Sequence, residues 1–428
     1  MNEINTIAVL GANGTMGSLS GGIFAQAGIR CFYFARSMEK AERGIENAVK
    51  QARSDVLREY IVPRTYESLT EEIPQCDWIV EAVAEDLDLK QQYYQTIDAH
   101  RKKGSIVSTV SSGLSIEQMA RDCSEDFKAH FMGVHFFNPP GKLPANEITF
   151  HSRNSESIKK YVFNFCEKVL QRVNIVTYDK PGFAGNRIGF QFLNGAARAA
   201  ERYGVEMTDY LLGPFTGRAL PPLATIDLVG LDVHRAIVDN IYERINDELH
   251  ETFLLPGYVQ RMIDKKLLGR KSAHSGGFYR FNEKKEKLCI DPSSLEHRSL
   301  ENIKIDPIER IKLHIHDGEY QEAVHLLKHD DSEPLALVRQ FILNYIAYGY
   351  ARVGEVTPPE EGIHGIDQVM SYGFSWLPPS AWVDFLGGPK ETIKLLEGKG
   401  IAVPEQLSQA DKGKQCRIPE VTRFFIAY

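Results

Sequence analysis

Short apolar runs alternate with stretches of helical periodicity through residues 4–150. The runs that predict strands are TIAVLGA, RCFYFA, CDWIVEAV, SIVSTV and FMGVHFF. Helices are predicted between them, where apolar residues repeat at helical spacing in TMGSLSGGIFAQAG, MEKAERGIENAVKQARSDVLREY and LKQQYYQTIDAHRKK. This alternation is typical of a largely parallel, doubly wound sheet, so we predict an α/β domain over residues 1–182.

The pattern changes at Pro181 and Gly182, two residue types that commonly interrupt regular structure. Long helical stretches follow, beginning with NRIGFQFLNGAARAAERYG. We predict a first all-α domain over residues 183–285 and a second over residues 334–428. Residues 286–333 are charged and weakly patterned, which predicts a connector between the two helical domains.

The two helical segments resemble each other in sequence. The pattern PP-x4-D-x2-G occurs in PPLATIDLVG at 221–230 and again in PPSAWVDFLG at 378–387. Leu-Asn begins and Gly ends both LNGAARAAERYG at 193–204 and LNYIAYGYARVG at 343–354. Two matches in the same order predict a duplicated helical domain, although short matches also arise by coincidence. Duplicated domains could pair within one chain, so we expect either such a monomer or a homodimer.

The composition excludes several classes of protein. A chain of 428 residues with 43% hydrophobic and 25% charged residues is typical of a globular protein with two or three domains. The formal charge of −7 and the pI near 6.0 argue against nucleic-acid binding. No apolar run approaches the roughly 20 residues that span a bilayer, and the start MNEINTIAVLGANG lacks the features of a signal peptide. We therefore expect neither a membrane nor a nucleic acid as partner.

The cysteines are scattered and include no Cys-x-x-Cys pair, which argues against a structural metal site. Their spacing favours reduced thiols, and hence a cytoplasmic protein. The six positions are Cys31, Cys76, Cys123, Cys166, Cys289 and Cys416.

The turn after the first predicted strand has the composition of a dinucleotide-binding turn. The glycines of GANGTMG permit a tight turn, close approach of the backbone to a pyrophosphate, and close packing of helix on sheet. The next helix offers free N–H groups at its N-terminus. The spacing is one residue longer than GxGxxG, and a purely structural glycine turn is the alternative, but the flanking strand and helix fit. We therefore predict a Rossmann-type domain and assign cofactor binding to Gly11, Asn13, Gly14, Thr15, Met16 and Gly17.

The end of the second predicted strand bears on the choice between NAD and NADP. An acidic residue there would accept a hydrogen bond from the ribose 2′-hydroxyl of NAD. The chain has Ala35, Arg36 and Ser37 instead. An arginine would attract a 2′-phosphate, so the local chemistry favours NADP, with Arg36 and Ser37 as contacts. NAD stays open, because Arg36 could equally be a solvated loop residue.

The segment GVHFFNPPGKLPANEI contains a histidine, His135, and a glutamate, Glu147, twelve positions later. His135 ends a predicted strand, at the edge where open α/β sheets bind ligands. A neutral imidazole there could remove a hydroxyl proton while hydride leaves the same carbon. Glu147 could fix the tautomer of the imidazole and stabilise its charged form. The alternative is a core histidine beside a surface glutamate.

Several motifs together resemble the L-3-hydroxyacyl-CoA dehydrogenase family. The family pattern of HFFNP, Lys-Leu and a later glutamate is met by His135, Lys142, Leu143 and Glu147. Three further family segments resemble EAVAEDLDLK, PGFAGNR and GRKSAHSGGFY, so the matches cover residues 4–281. The resemblance implies reversible oxidation of an L-3-hydroxyacyl-CoA to a 3-ketoacyl-CoA with NAD or NADP and no metal. The terminal block resembles the second helical domain of longer members.

The resemblance also implies roles for individual residues. His135 would be the base and Glu147 would orient it. Ser112 and Asn186 would hydrogen-bond the reacting oxygen or the thioester. The positions that correspond to the family's cofactor-binding residues are Glu85, Lys90, Asn138 and Lys271.

The chain departs from the family pattern at several positions. Val110-Ser111 stands where Asn-Thr is usual, and Gly113 where Ser or Thr is usual. Ala48 and Asp55 stand where polar or basic groups that face the coenzyme A carrier are expected. Nearby Lys50 and Arg53 could still bind its phosphates.

Two alternatives stay open, and the departures at Ala35, Val110 and Gly113 motivate the second of them. One is a related dehydrogenase that acts on a free 3-hydroxyacid rather than a CoA thioester. The other is a catalytically eroded homologue that binds a nucleotide or has a structural role. The presence of His135, Glu147, Ser112 and Asn186 favours the thioester dehydrogenase.

Overall fold

The computed structural model describes residues 3–272, 275–410 and 413–426. The chain divides into two compact units. The first consists of Met1–Phe183 together with Val356–Pro358, and the second of Ala184–Glu355 and Pro359–Tyr428. The first boundary therefore falls beside the predicted interruption at Pro181 and Gly182.

The first unit is built on a mostly parallel sheet, which confirms the predicted Rossmann-type α/β class. Its strands are β1 (Thr6–Leu10), β2 (Arg30–Ala35), β3 (Ile61–Thr65), β4 (Trp78–Glu81), β5 (Ile106–Thr109), β6 (Phe131–Phe136), β7 (Ala145–Phe150) and β8 (Val173–Thr177). They lie in the order β3-β2-β1-β4-β5-β6-β7-β8, and only the β6–β7 pair in this order is antiparallel.

Two apolar cores lie on opposite faces of this sheet. Ile7 and Val9 of β1 belong to one core, and Ala8 and Leu10 to the other. Because successive side chains of a strand point to opposite faces, β1 is buried on both sides. This is why the central strands read as continuous apolar runs. The helices of the unit are α1 (Thr15–Gln26), α2 (Met38–Ala52), α3 (Leu57–Tyr60), α4 (Leu69–Glu72), α5 (Leu87–His100), α6 (Ile116–Met119), α7 (Glu125–His130) and α8 (Glu156–Lys168).

The single long helix predicted over residues 38–60 is wrong. Helix α2 ends at Ala52, and Arg53 adopts a left-handed conformation with φ 52°. The Arg53 N–H donates to the carbonyl of Val49, which closes the last turn. The amphipathic pattern continues across the break into α3, so periodicity alone did not reveal it.

The second unit is mostly helical. Its helices are α9 (Gly185–Tyr203), α10 (Val205–Leu211), α11 (Pro222–Val229), α12 (Leu231–Arg244), α13 (Gly257–Asp264), α14 (Asp306–His316), α15 (Tyr320–His329), α16 (Glu333–Ala351), α17 (Ile363–Gly373), α18 (Pro379–Phe385), α19 (Pro389–Gly398) and α20 (Glu405–Ser408). An antiparallel sheet in the order β11-β10-β9 joins β9 (Tyr279–Phe281), β10 (Lys287–Ile290) and β11 (His297–Ser299).

The predicted connector, residues 286–333, contains regular structure rather than a simple linker. It includes β10, β11, α14 and α15. The strands are only three or four residues long, too short for an alternating pattern to identify them. The helical residues on both sides of this segment belong to one compact unit.

The two copies of the helical pattern have matching structure. The PP-x4-D-x2-G motifs form α11 and α18, and the Leu-Asn motifs fall in α9 and α16. Asp227 and Asp384, the aspartates of the two PP motifs, each accept hydrogen bonds from two consecutive backbone N–H groups of a later segment. The donors are Phe278 and Tyr279 for the first aspartate, and Gln415 and Cys416 for the second.

The copies also contact each other within the second unit. The N–H of Leu377, just before α18, donates to the carbonyl of Gly217, just before α11, at 2.7 Å. Arg218 and Trp376 form an antiparallel bridge at the same place. The structure therefore supports the predicted duplication, with both copies in one compact unit.

Three findings concern partners and compartments. No helix in the described ranges is long and apolar enough to cross a membrane. All six cysteines are buried and free. Within residues 3–272, 275–410 and 413–426, no cluster of three or more His, Cys, Asp or Glu side chains could hold a metal ion.

Candidate active site

The glycine-rich turn lies between β1 and α1. Gly11 has φ +75°, and a Cβ there would lie 2.3 Å from the carbonyl oxygen of Ala82. A Cβ on Gly17 would lie 2.4 Å from the carbonyl oxygen of Gly11. Both positions therefore require glycine, since these distances are too short for any side chain. The turn brings the N-terminus of α1 close to the strand end, which fits the pyrophosphate of a dinucleotide.

The remaining residues of the turn are arranged to face a ligand. Gly14 precedes α1 as its N-cap residue, and none of the side chains that the structure describes caps the helix there. Asn13 and Thr15 are exposed, while Met16 packs partly against the core. The first N–H groups of α1 are thus available, as pyrophosphate binding requires.

The end of β2 presents a cation and a helix cap. Ala35 is buried, and Arg36 is exposed. Across the part of the chain that the structure describes, the Arg36 guanidinium has no hydrogen-bond or ion-pair partner. Ser37 is the N-cap of α2, and its hydroxyl accepts a hydrogen bond from the Lys40 N–H at 3.4 Å. Arg36 is therefore free to bind an anion, whereas Ser37 has a structural role of its own.

The sheet register places His135 and Glu147 opposite each other on β6 and β7. The twelve-residue spacing thus results from an antiparallel turn between two adjacent strands. Nδ1 of His135 lies 2.8 Å from Oε2 of Glu147, and the side chains are 8% and 0% exposed. A carboxylate only accepts hydrogen bonds, so Nδ1 carries the proton and Nε2 is left as an acceptor. Glu147 is therefore buried, contrary to the alternative of a surface glutamate.

The second nitrogen of the imidazole faces Ser112. The Ser112 hydroxyl lies 2.9 Å from Nε2 of His135, and in this tautomer it donates to the ring. The rings of Phe137 and Phe183 lie 5.2 Å and 5.9 Å from the imidazole, measured between centroids. A serine, an imidazole and a carboxylate therefore form a continuous hydrogen-bonded row beside aromatic rings, which limit the access of water.

The loop after β5 is held by Glu85. Oε1 of Glu85 accepts hydrogen bonds from the Ser112 N–H at 3.1 Å, the Gly113 N–H at 3.2 Å and the hydroxyl of Ser111. Glu85 itself is 46% exposed, and its Oε2 lies 3.5 Å from Nζ of Lys90. The structure thus brings Glu85, which was predicted as a cofactor contact, to the loop that carries Ser112.

Lys90 lies inside the unit rather than on its surface. Its side chain is 1% exposed, and Nζ donates to Oε1 and Oε2 of Glu81 at 2.8 and 3.0 Å. Glu81 also accepts hydrogen bonds from Thr109 Oγ1 and Tyr94 Oη. Burial and the neighbouring Glu81 raise the pKa of the Tyr94 phenol well above its usual range, so this hydroxyl stays a donor. A direct contact of Lys90 with the cofactor stays a prediction.

Three other predicted residues are not part of this cluster. Asn138 is exposed just after β6. Asn186 lies in the first turn of α9 in the second unit, where it is buried. Lys271, also in the second unit, pairs with Asp232. Their proposed roles stay predictions.

Glu81 and Ser111 are the residues that sequence reasoning missed. Glu81 ends the apolar strand β4, and Ser111 follows β5. A charged residue at the end of a buried strand is uncommon without a partner, so Glu81 in the sequence already indicated a buried ion pair or hydrogen-bond network. Its partner Lys90 comes from the next helix and could be identified only in three dimensions.

A cationic cleft lies near the glycine-rich turn. It has a volume of about 410 Å³ and is lined by residues of α1, of the second half of α2 and of the loop after β6. Its cations are Lys50, Arg53 and Lys142, and within the described ranges their side chains have no ion-pair partner. The other lining residues are Thr15, Ser18, Leu19, Asn47 and Gln51.

Comparison with known proteins identifies the family. Residues 6–180 match the model described as 3-hydroxyacyl-CoA dehydrogenase, NAD binding domain, and residues 182–280 match the C-terminal domain of the same family. A probable 3-hydroxyacyl-CoA dehydrogenase of Deinococcus radiodurans is 32% identical over 292 residues, which cover 65% of this chain and 83% of that protein. The chain belongs to the 3-hydroxyacyl-CoA dehydrogenase family. The predicted resemblance is thus confirmed.

Other relatives in the family are longer than this chain. A probable 3-hydroxyacyl-CoA dehydrogenase of Bacillus subtilis is 32% identical over 361 residues, or 83% of this chain and 44% of that protein. A putative fatty acid oxidation complex trifunctional enzyme of Rickettsia felis is 27% identical over 88% of this chain and 52% of its own length. The chain therefore spans about half the length of these two relatives.

A solved structure shares the fold over almost the whole chain. The crystal structure of 3-hydroxybutyryl-CoA dehydrogenase from Escherichia coli K12 has a TM-score of 0.68 and 18% identity. The match covers 95% of this chain and 96% of that one. At this identity the likeness concerns the fold alone, and it includes the second helical copy.

Proposed function

We propose that this family member catalyses the reversible oxidation of an L-3-hydroxyacyl-CoA to the 3-ketoacyl-CoA with a nicotinamide cofactor. The proposal rests on one observation, the position of the His135 imidazole between a buried carboxylate and a serine hydroxyl. Nδ1 donates to Glu147, and Nε2 accepts from Ser112. The nitrogen that faces the serine is therefore the one that can accept a proton.

Each residue of the row has a defined part in the reaction. In the oxidative direction Nε2 of His135 takes the proton of the substrate hydroxyl, because Nδ1 already carries its own. The Glu147 carboxylate stabilises the imidazolium that forms. Ser112 hydrogen-bonds the reacting oxygen and keeps it beside Nε2. When bound, the nicotinamide cofactor accepts or supplies the hydride. In the reductive direction His135 returns its proton to the carbonyl oxygen.

A simple assay tests this function against its alternatives. The protein is mixed with acetoacetyl-CoA and either NADH or NADPH, and the absorbance of the reduced cofactor is followed. We expect consumption of cofactor with the thioester and none with free acetoacetate. Turnover of the free acid would indicate a 3-hydroxyacid dehydrogenase. Cofactor binding without turnover of any thioester would indicate an eroded, nucleotide-binding homologue.

We infer that the protein prefers NADP over NAD. The second strand ends in Ala35, so no carboxylate is present there to accept a hydrogen bond from the ribose 2′-hydroxyl. The neighbouring Arg36 is exposed and has no partner within the described residues, so its full charge is available to a 2′-phosphate.

Arg36→Ala should therefore lower kcat/KM for NADPH by about 10-fold to 100-fold, because a charge-assisted hydrogen bond contributes about 1.5–3 kcal/mol. The kcat/KM for NADH should stay nearly unchanged. Arg43→Ala is the matched control, since Arg43 lies on α2, the helix that follows Arg36, but is paired with Glu39. An equal loss with both cofactors would contradict a 2′-phosphate contact.

We further propose that the cationic cleft binds the phosphates of the coenzyme A carrier. The positions where the resemblance implies carrier contacts are Ala48, which is buried, and Asp55, which is exposed. Neither can attract a phosphate. Lys50, Arg53 and Lys142 can, since none of the described residues that line the cleft carries a carboxylate.

Lys142→Ala should raise KM for acetoacetyl-CoA roughly 5-fold, the effect of an exposed ion pair of about 1 kcal/mol, with little change in kcat. The same variant should leave KM for acetoacetyl-pantetheine, which lacks these phosphates, unchanged. Lys160→Ala, which removes an exposed lysine of α8 outside the cleft, is the control. A KM increase of equal size for both thioesters would argue against phosphate binding in the cleft.

The oligomeric state and the compartment stay predictions. The two helical copies contact each other within one unit, which supports a monomer with internally paired domains over a homodimer. A cytoplasmic location stays the expectation from the cysteine pattern.

A further inference from the structure

The glycine-rich turn has one residue more than the GxGxxG pattern, so it contains one more peptide group to be fixed. Its first residue, Gly11, adopts φ +75°, which glycine reaches without strain. Glycine also reaches many other conformations, so its own preferences do not select this one. Hydrogen bonds to the two peptide groups beside Gly11 can make that selection.

One of these hydrogen bonds closes the turn locally. The carbonyl of Gly11 accepts from the Gly14 N–H at 2.9 Å. Gly14 is the N-cap residue of α1, and its own carbonyl accepts from the Ser18 N–H at 3.0 Å. The orientation of Gly11 therefore affects where the first N–H groups of α1 point, and these are the groups that can bind a pyrophosphate.

The other hydrogen bond involves a distant part of the chain. The N–H of Gly11, which is buried, donates to the hydroxyl of Tyr66 at 2.8 Å. Tyr66 begins a short 3₁₀ helix, Tyr66–Ser68, directly after β3, and β2 separates β3 from β1 in the sheet. The Tyr66 side chain therefore reaches past the end of β2 to contact the turn.

Packing holds the tyrosine ring in this position. Its centroid lies 6.4 Å from that of Phe34 in β2, with the planes 28° apart, and 5.2 Å from that of Tyr93 in α5. Phe34 is completely buried, and Tyr66 packs against the same apolar core. Burial, with a smaller contribution from Tyr93, raises the pKa of the Tyr66 phenol, so the hydroxyl stays neutral. A packed aromatic side chain thus holds an uncharged acceptor against the Gly11 N–H.

We propose that Tyr66 is a positioning residue for cofactor binding, whose hydroxyl holds the Gly11 peptide and so presents the N-terminus of α1 to the pyrophosphate. The inference rests on the proposed function, because it requires the turn to bind a nicotinamide dinucleotide. It assigns Tyr66 an action through the turn and no part in the proton transfer. Without the hydroxyl the turn would be less ordered in the free protein, and binding would have to order it again.

Tyr66→Phe tests the hydroxyl, because this variant keeps the ring and its packing. We expect the dissociation constants of NADH and NADPH to rise by the same factor, about 3-fold to 10-fold, which is the net contribution of one hydrogen bond. Both cofactors carry the same pyrophosphate, so a change in the turn affects them equally, whereas Arg36→Ala should affect NADPH alone. The kcat at saturating cofactor should stay that of the parent protein. Isothermal titration calorimetry measures the affinities.

Tyr60→Phe is the matched control. Tyr60 is a partly buried tyrosine of the same unit, but it ends α3 immediately before β3, at the opposite end of that strand from Tyr66. This variant should bind both cofactors with the affinity of the parent protein. Urea denaturation of both variants checks that they remain folded.

Hydrogen exchange followed by mass spectrometry provides a readout on the turn itself. Without cofactor, the amides of residues 6–17 should exchange faster in Tyr66→Phe than in the parent protein or in Tyr60→Phe. The difference should shrink when NADH or NADPH is bound, because the bound pyrophosphate then orders the turn. Exchange that is unchanged in Tyr66→Phe would overturn the inference.

The affinities give the other decisive outcomes. A Tyr66→Phe variant with the cofactor affinities of the parent protein, or with a loss in kcat alone, would overturn the inference. Retained affinity in Tyr66→Phe with a loss in Tyr66→Leu would assign the effect to the ring instead of the hydroxyl, and would overturn it too. If the parent protein binds neither NADH nor NADPH, the proposed function itself fails; if the parent protein and Tyr66→Phe bind equally well, only the role of Tyr66 fails.

Discussion

Replacing His135 with glutamine should lower kcat by about 10²–10⁴-fold, the contribution typical of a general base. Glutamine can hydrogen-bond Ser112 and Glu147, but it cannot take up a proton at neutral pH. The dissociation constant of the cofactor should change little, because His135 lies at the end of β6 and the glycine-rich turn follows β1. Steady-state assays with acetoacetyl-CoA and a cofactor titration measure the two effects separately.

His100→Gln provides the control for this change. His100 is exposed at the end of α5, and its Nδ1 lies 2.9 Å from the carbonyl oxygen of Thr96. Its replacement should leave kcat unaltered. A His135→Gln enzyme within a few-fold of the parent protein would exclude His135 as the base.

Replacing Lys90 with methionine should destabilise the first unit by about 3–5 kcal/mol, because it leaves the buried charge of Glu81 without a cation. The hydroxyls of Tyr94 and Thr109 would still donate to Glu81, but they cannot neutralise it. Urea denaturation followed by circular dichroism measures the change in the free energy of unfolding.

The double variant Glu81→Gln/Lys90→Met should regain most of this loss, since neither member then carries a buried charge. Lys103→Met removes an exposed lysine of the same unit and should cost little. If the Lys90→Met variant had the same free energy of unfolding as the Lys103→Met variant, the buried Lys90–Glu81 pair would contribute nothing to stability, and this prediction would be wrong.

The sequence predicted the strands that lie within the longer apolar runs. β1, β2, β4, β5 and β6 are neighbours towards the middle of the order and are mostly apolar, although β4 ends with Glu81 and β5 with Ser108 and Thr109. β3 was missed at the edge of the sheet, where Pro63 interrupts the pattern; an edge strand tolerates proline because one of its sides has no ladder. β7 was missed because it carries the buried polar residues Asn146 and Glu147.

In the candidate site, too, some contacts could be predicted from the sequence and others could not. The pairing of His135 with Glu147 follows from a local spacing, since an antiparallel turn brings the two residues opposite each other. The link from Glu81 through Lys90 and Glu85 to Ser112 joins a strand, a helix and two loops. Nothing in the one-dimensional pattern indicates which carboxylate each donor will meet, so this part of the site required the structure.

The helical part illustrates a further limit. The two PP-x4-D-x2-G motifs predicted a duplication by their similarity and order alone, and the structure shows that each aspartate accepts hydrogen bonds from backbone N–H groups. The predicted connector was charged and irregular, and charge there obscured the short strands and helices that the structure shows. Repeated motifs therefore located the equivalent elements better than they located the boundaries between them.

A crystal structure of the complex with cofactor and a 3-hydroxyacyl-CoA tests the central claim most directly. The account predicts that the 3-hydroxyl oxygen lies about 3 Å from Nε2 of His135 and within hydrogen-bonding distance of Ser112, with Nδ1 still bonded to Glu147. A bound substrate whose hydroxyl contacts neither side chain would contradict the account.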